Sequence, residues 1–182
     1  VWRHAPESGE SMKVALIVAI VLLPAGTLAQ PRARESAVLW QARSCVGESG
    51  VRDLATCVSM AWVHMSIAER RGISVERVIR SYSFAVKPEF NVRNRWIFEL
   101  DRSGRRPVHW RGGSWRRFLR LWRAMLAVVA DTLDGRIAPH CYGARAYGSA
   151  TLDANPNPRT LEVWDCLPGS RQRFYRRRTN DD

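Results

Sequence analysis

The sequence predicts a mainly α domain with irregular connections. Its clearest observation is the run after Ser114, where Trp115, Phe118, Leu119, Trp122, Met125, Leu126, Val129 and Leu133 recur at steps of three and four. Two shorter stripes of the same period occupy the first third of the chain. Roughly the last forty residues are rich in Gly, Pro and Asn and leave room for short strands only.

In chain order, the first helix is expected over Ser36 to about Gly47. Ser36 would cap it, with Val38, Leu39, Ala42, Cys45 and Val46 on one face and Gly47 and Gly50 bracketing its end. The second runs from Arg52 to Arg71, with Leu54, Val58, Ala61, Met65 and Ala68 as its stripe and Gly72 as its stop. Ser74 caps a short helix ending near Ser81. From Ala85 to Gly113 the periodicity fades. Pro88, Gly104, Pro107, Gly112 and Gly113 mark a long surface excursion, with a short helix expected around Arg93 to Leu100. The long helix capped by Ser114 and stopped by Gly135 is the apolar spine, in which Trp115 and Trp122 are core residues. Beyond it a strand fits Leu161 to Trp164. The arginine-rich tail after Tyr175 is expected to be disordered.

Before the domain, Met12 to Ala29 has the layout of a secretory signal. Lys13 precedes the apolar run Val14 to Leu23, Pro24 breaks it, and Thr27-Leu28-Ala29 ends on a small residue. A run of that length rises about 15 Å as a helix, half the hydrocarbon thickness, so no lasting membrane anchor is expected. Residues 1–11 read as an over-extended frame. One domain of about 150 residues then starts near Gln30, in a periplasmic or extracellular protein.

The formal net charge is +12, and beyond the signal Lys87 is the only lysine. So basic a surface favours an anionic polymer. For an exported chain that polymer is the cell envelope, peptidoglycan included, rather than nucleic acid, for which no motif is present. The cysteines Cys45, Cys57, Cys141 and Cys166 are even in number and read as two disulfides. Of three connectivities, Cys45–Cys57 and Cys141–Cys166 close the shortest loops. No Cys-x-x-Cys pair exists, and His64, His109 and His140 supply no ligand set, so neither metal nor cofactor is expected.

Glu48 stands out chemically. It ends the first helix, where the helix dipole opposes ionisation of a carboxyl group. Trp40 or Trp62 could desolvate it further, and the flanking glycines would leave room for a polymer chain. Such a carboxylic acid can protonate a glycosidic oxygen near neutral pH.

An exported, mainly helical domain with Glu at the end of its first helix resembles the lysozyme superfamily, in its lytic transglycosylase-like branch. More closely, the chain is similar to lysozyme-like cell-wall hydrolases of phages, prophages and bacteria. The resemblance rests on Cys45-Val46-Gly47-Glu48-Ser49-Gly50, the stretch Cys57 to Trp62, the pair Tyr82-Ser83, and Arg93, Trp96, Leu100, Pro107 and Trp110. It continues through Trp115 and Trp122, Pro139 to Gly148, and Gln172-Arg173-Phe174-Tyr175, and so covers the whole mature chain.

The resemblance implies a lysozyme-like fold and cleavage of the β-1,4 bond between N-acetylmuramic acid and N-acetylglucosamine, with Glu48 as acid. A hydrolase needs a second carboxylate, for which Asp53 and Asp101 are available. A lytic transglycosylase needs none, because the sugar's 6-hydroxyl attacks, and this version is favoured. Tyr82, Ser83, Trp110 and Tyr147 are the candidate sugar-binding residues. Two positions depart from the pattern: Ala146-Tyr147 replaces His-Trp, and Gln172 replaces Asn. The expected state is a monomer without cofactor. The competing expectation is a non-catalytic, cationic envelope-binding module on the same scaffold.

Overall fold

The computed structural model describes residues 31–89, 91, 94–141, 143–149, 159–170 and 172–178. The signal segment, Arg93 and residues 179–182 lie outside them. Five α-helices and a three-stranded sheet account for the described chain: α1 Pro31–Glu48, α2 Leu54–Arg71, α3 Val75–Tyr82, α4 Trp96–Glu99, α5 Trp115–Leu133, β1 Ala146–Ser149, β2 Leu161–Trp164 and β3 Gln172–Arg177. A 3-10 turn, Phe84–Val86, follows α3. None of these helices is long and apolar enough to cross a membrane.

Helix α1 begins at Pro31, so Ser36 lies inside it and caps nothing. The Arg34–Asp134 ion pair holds this part of α1 against the end of α5. Helix α2 starts two residues later than expected, with the Asp53 side chain accepting from the Thr56 amide as N-cap; it ends on Gly72 in the left-handed conformation, φ +62°. Ser74 and Ser114 cap α3 and α5 as the sequence indicates. In the middle excursion, irregular from Leu100 to Ser114, the helix expected around Arg93 to Leu100 is the single turn α4, whose following residue Leu100 offers its carbonyl to Arg43 at 2.6 and 3.0 Å.

Two apolar clusters result. One joins α1, α4 and α5 through Val38, Ala42, Ile97, Leu100, Trp122 and Met125. The other packs Met60, Val63 and Ile67 of α2 and Val78 of α3 against Phe174 of β3. Helix α2 is buried on most of its circumference, since it faces both α5 and the sheet side. Trp115 is only half-buried, whereas Trp122 is 1% exposed and donates its indole N–H to the Asp101 carbonyl.

The C-terminal part is more ordered than the sequence suggested. Its strands form an antiparallel sheet in the order β1-β3-β2, with Tyr147 opposite Phe174 and Val163 opposite Tyr175. Arg176 and Arg177, assigned to a disordered tail, continue β3 opposite Glu162 and Leu161, and Arg176 pairs with the Glu162 carboxylate. Both disulfides have the local pairing, Cys45–Cys57 joining α1 to α2 and Cys141–Cys166 stapling the approach to the sheet. Such staples belong to chains that fold in an oxidising compartment.

Candidate active site around Glu48

Helix α1 carries two kinds of stripe. Val38, Ala42 and Cys45 enter the apolar core, while Gln41, Ser44 and Glu48, at steps of three and four, form a polar stripe beside it. Gln41 and Ser44 are fully buried and Glu48 is half-buried. Buried polar groups need partners, and here they come from α2, the end of α3 and the sheet.

Glu48 is held on one oxygen. The Ser83 hydroxyl donates to Oε1 at 3.0 Å, and the Ala85 amide donates to the same oxygen at 3.3 Å. Oε2 accepts no hydrogen bond among the described residues. Ser83 in turn accepts from the Ser44 hydroxyl at 2.8 Å, so the chain Ser44–Ser83–Glu48 runs in one direction. Gly47 makes this approach possible. A Cβ there would lie 2.4 Å from the Ala85 Cβ, inside the contact limit. The glycine thus admits the protein's own 3-10 turn, not a polymer.

A second chain lies behind the first. The Tyr147 hydroxyl is 3.0 Å from His64 Nε2, and His64 Nδ1 is 2.7 Å from Gln41 Oε1. The Gln41 amide nitrogen faces Cys45 Sγ at 3.4 Å. A disulfide sulfur has no proton to give, so the Gln41 amide group must face it and its oxygen must face the imidazole. His64 therefore carries its proton on Nδ1 and accepts from Tyr147 at Nε2. Burial lowers the His64 pKa from its usual 6.5 to about 3, which keeps the ring neutral. Burial raises the Tyr147 pKa, and the Glu48 charge adds to the shift; the nearby Ser44 and Ser83 hydroxyls oppose it. Tyr147 stays a phenol, and its ring meets His64 edge-on at 5.4 Å.

Gln172 closes the site from β3. Its side-chain amide donates to the Glu48 backbone carbonyl at 3.0 Å, satisfying an acceptor that the end of α1 leaves open. Its Oε1 is buried without a hydrogen-bond partner among the described residues.

The remaining expected site residues are distributed unevenly. Ser83 and Tyr147 come together with Glu48 as described. Tyr82, 38% exposed, ends α3 beside Ser83 with the Arg71 guanidinium over its ring. Trp110 packs in an aromatic group with Trp96, Trp115 and Phe118 at the α4–α5 junction, which gives it a structural role. Trp40 is covered by the Arg43 and Arg80 guanidinium groups, and Trp62 lines a groove between α1, α2 and α5. Neither supplies the desolvation expected for Glu48, whose hydrogen-bonding neighbours are polar. Asp53 is committed to capping α2, and Asp101 accepts from Ser103 and Gly104 in its loop. No group of acidic, His and Cys residues among those described could hold a metal ion.

His64, Gln41, Ser44 and Phe84 were missed as site residues. The Gln41-Ser44-Glu48 spacing was the available signal for the stripe. Phe84 was marked only by its place beside Ser83, and it is 60% exposed. Two concavities lie elsewhere: one of about 890 Å³ between the ends of α1, α2, α3 and α5, and one of about 370 Å³ lined by Arg159, Thr160, Arg177 and Arg178. Glu48 lines neither.

Comparison with known proteins gives no match to a family model, a curated protein or a solved structure.

Proposed function

We propose that this chain is an exported peptidoglycan-cleaving glycosidase of lysozyme-like fold, with Glu48 as its acid and base. The observation that supports this reading is the asymmetric anchoring of Glu48. Two donors engage Oε1, so a proton on the carboxyl group resides on Oε2, the oxygen without a hydrogen-bond partner among the described residues. The acid is thereby oriented before substrate arrives.

In the proposed reaction Glu48 Oε2 gives its proton to the oxygen of the bond between N-acetylmuramic acid and N-acetylglucosamine. That bond breaks and the leaving sugar departs as an alcohol. The carboxylate then takes the proton of the muramoyl 6-hydroxyl, whose oxygen bonds to C1 and closes a 1,6-anhydro ring. Atoms and charge balance with no second carboxylate. This favours the transglycosylase over the muramidase reading, because Asp53 and Asp101 are occupied in local structure. Tyr82 and Phe84 stand beside the Ser83 and Ala85 donors, part-exposed aromatic rings with Arg71 and Lys87 over them, a cation-and-ring pairing suited to an acidic sugar polymer. Gln172 Oε1, which has no hydrogen-bond partner among the described residues, is an acceptor of the kind that a sugar hydroxyl or acetamido N–H would satisfy. The secretory segment Met12 to Ala29 would bring the enzyme to its polymer, in line with the two disulfides.

The test is loss of turbidity of purified peptidoglycan. The parent is expected to clear it and Glu48→Gln to leave it intact. A folded parent inactive on peptidoglycans of several chemotypes would overturn the reading.

A non-catalytic, cationic envelope-binding module is the second reading, favoured by the net charge of +12. It predicts pelleting with peptidoglycan that survives Glu48→Gln and is lost at high salt.

A further inference from the structure

Residues 102–123 contain eight arginines and no Asp or Glu. The fold gathers them. The loop before α5 lies back on the helix: a Cβ on Gly104 would abut the Leu119 side chain, Trp110 packs on Trp115 and Phe118, and Trp122 bonds the Asp101 carbonyl. Arg105, Arg106 and Arg111 of the loop therefore border Arg116, Arg117, Arg120 and Arg123 of the helix, and all seven are exposed.

Arg102 pairs with Glu35, but none of these seven makes an ion pair among the described residues. The nearest acids are engaged elsewhere. Glu99 holds the His109 ring and amide, and Asp101 accepts from Ser103 and Gly104, with only a weaker field from Arg105. Moreover, α5 has no acidic residue in its first turn and no basic residue in its last. Cations at a helix N-terminus oppose the helix dipole, so Arg116 and Arg117 stand where helix stability disfavours them. Asp131 and Asp134, at the other end, are neutralised by Arg136 and Arg34. The N-terminal arginines have no such compensation among the described residues.

Among these cations stands an apolar tip. Val108 is 91% exposed, between buried Pro107 and the half-buried Trp110. A soluble polyanion would engage the arginines and leave Val108 in water. A lipid surface offers both a layer of phosphates and an apolar phase beneath it.

We propose that the 105–111 loop and the N-terminal half of α5 dock on an anionic phospholipid surface, the arginines on headgroup phosphates and Val108 at the acyl boundary. This goes beyond the glycosidase reading and does not depend on it. An inactive protein could still bind lipid, and an active one could fail to.

The experiment sediments the full chain with vesicles of phosphatidylcholine, with and without phosphatidylglycerol. Any affinity of the Val14 to Leu23 run is common to parent and variants. The parent is expected to favour the anionic vesicles and to be released at about 0.5 M salt. Arg116→Gln/Arg120→Gln/Arg123→Gln should weaken that binding at least about tenfold, and Val108→Asp several-fold. Arg105→Gln/Arg106→Gln, which leaves α5 untouched, should weaken it in the same direction; circular dichroism verifies that each variant is folded. Equal binding to neutral vesicles, or anionic binding unchanged in the folded arginine variants, overturns the proposal. So does binding indifferent to Val108→Asp and displaced by polyphosphate or duplex DNA, which would make a soluble polyanion the ligand.

Discussion

Ser83 donates its hydroxyl hydrogen to Glu48 Oε1 at 3.0 Å while accepting the Ser44 hydroxyl at 2.8 Å. The end of α3 thereby fixes the orientation of a carboxylate at the end of α1. The Ser83 hydroxyl can serve both bonds because a hydroxyl donates once and accepts twice.

Ser83→Ala removes the only side-chain donor to the Glu48 carboxylate among the described residues and leaves Ser44 without its acceptor. A hydrogen bond to a charged group contributes about 1.5–3 kcal/mol. Peptidoglycan clearance by the variant should fall about tenfold or more, with the chain still folded by circular dichroism. Unchanged clearance would show that this anchor plays no part in the reaction.

Gly47→Ala places a Cβ 2.4 Å from the Ala85 Cβ. Overpacking of this kind costs about 1–3 kcal/mol, measurable by urea unfolding. Because the colliding atom is itself a methyl group, adding Ala85→Gly should restore part of the loss. The two substitutions should be non-additive in a double-mutant cycle.

His64 gives stability a pH dependence of known sign. Its pKa is about 3 in the fold against 6.5 when unfolded, so between these values the unfolded chain binds more protons. The contribution is complete above about pH 6.5 and is lost as pH falls toward 3, with a slope approaching about 1.4 kcal/mol per pH unit. Unfolding free energies of the parent and His64→Gln between pH 4 and 6 should differ in slope by about that amount. Parallel curves would contradict a buried neutral His64.

The disulfides close loops of 12 and 25 residues. Replacing either pair by serine should cost about 3 kcal/mol. Only the Cys45–Cys57 pair ends within one turn of Glu48 on α1. Its loss should depress clearance beyond the effect on stability, and more than loss of Cys141–Cys166, which reaches Glu48 only through the sheet that carries Tyr147 and Gln172.

Much of this arrangement was legible in the sequence. The apolar steps of α5, the stop of α2 at Gly72, the caps Ser74 and Ser114, the local disulfide pairs and the end-of-helix position of Glu48 all follow from near neighbours, whereas α2 buries Met60, Val63 and Ile67 outside its expected stripe and leaves Leu54 and Met65 partly exposed. What the sequence hid depends on distant ones. Ser36 has the chemistry of a cap, yet the ion pair of Arg34 with Asp134, a hundred residues away, accompanies a start at Pro31. Arg176 and Arg177 read as a solvated tail until Glu162 and the β2 backbone receive them. Gly47 looked like space for substrate because nothing local indicates that Ala85 fills it. His64 carried no signal, since its partners are 23 and 83 residues away.

The most direct test of Glu48 as the cleaving acid is mass spectrometry of fragments released from purified peptidoglycan by the parent and by Glu48→Gln, both verified as folded. The expected result is muropeptides with 1,6-anhydro ends from the parent and none from the variant. Equal release by both proteins, or none from the parent, would contradict it.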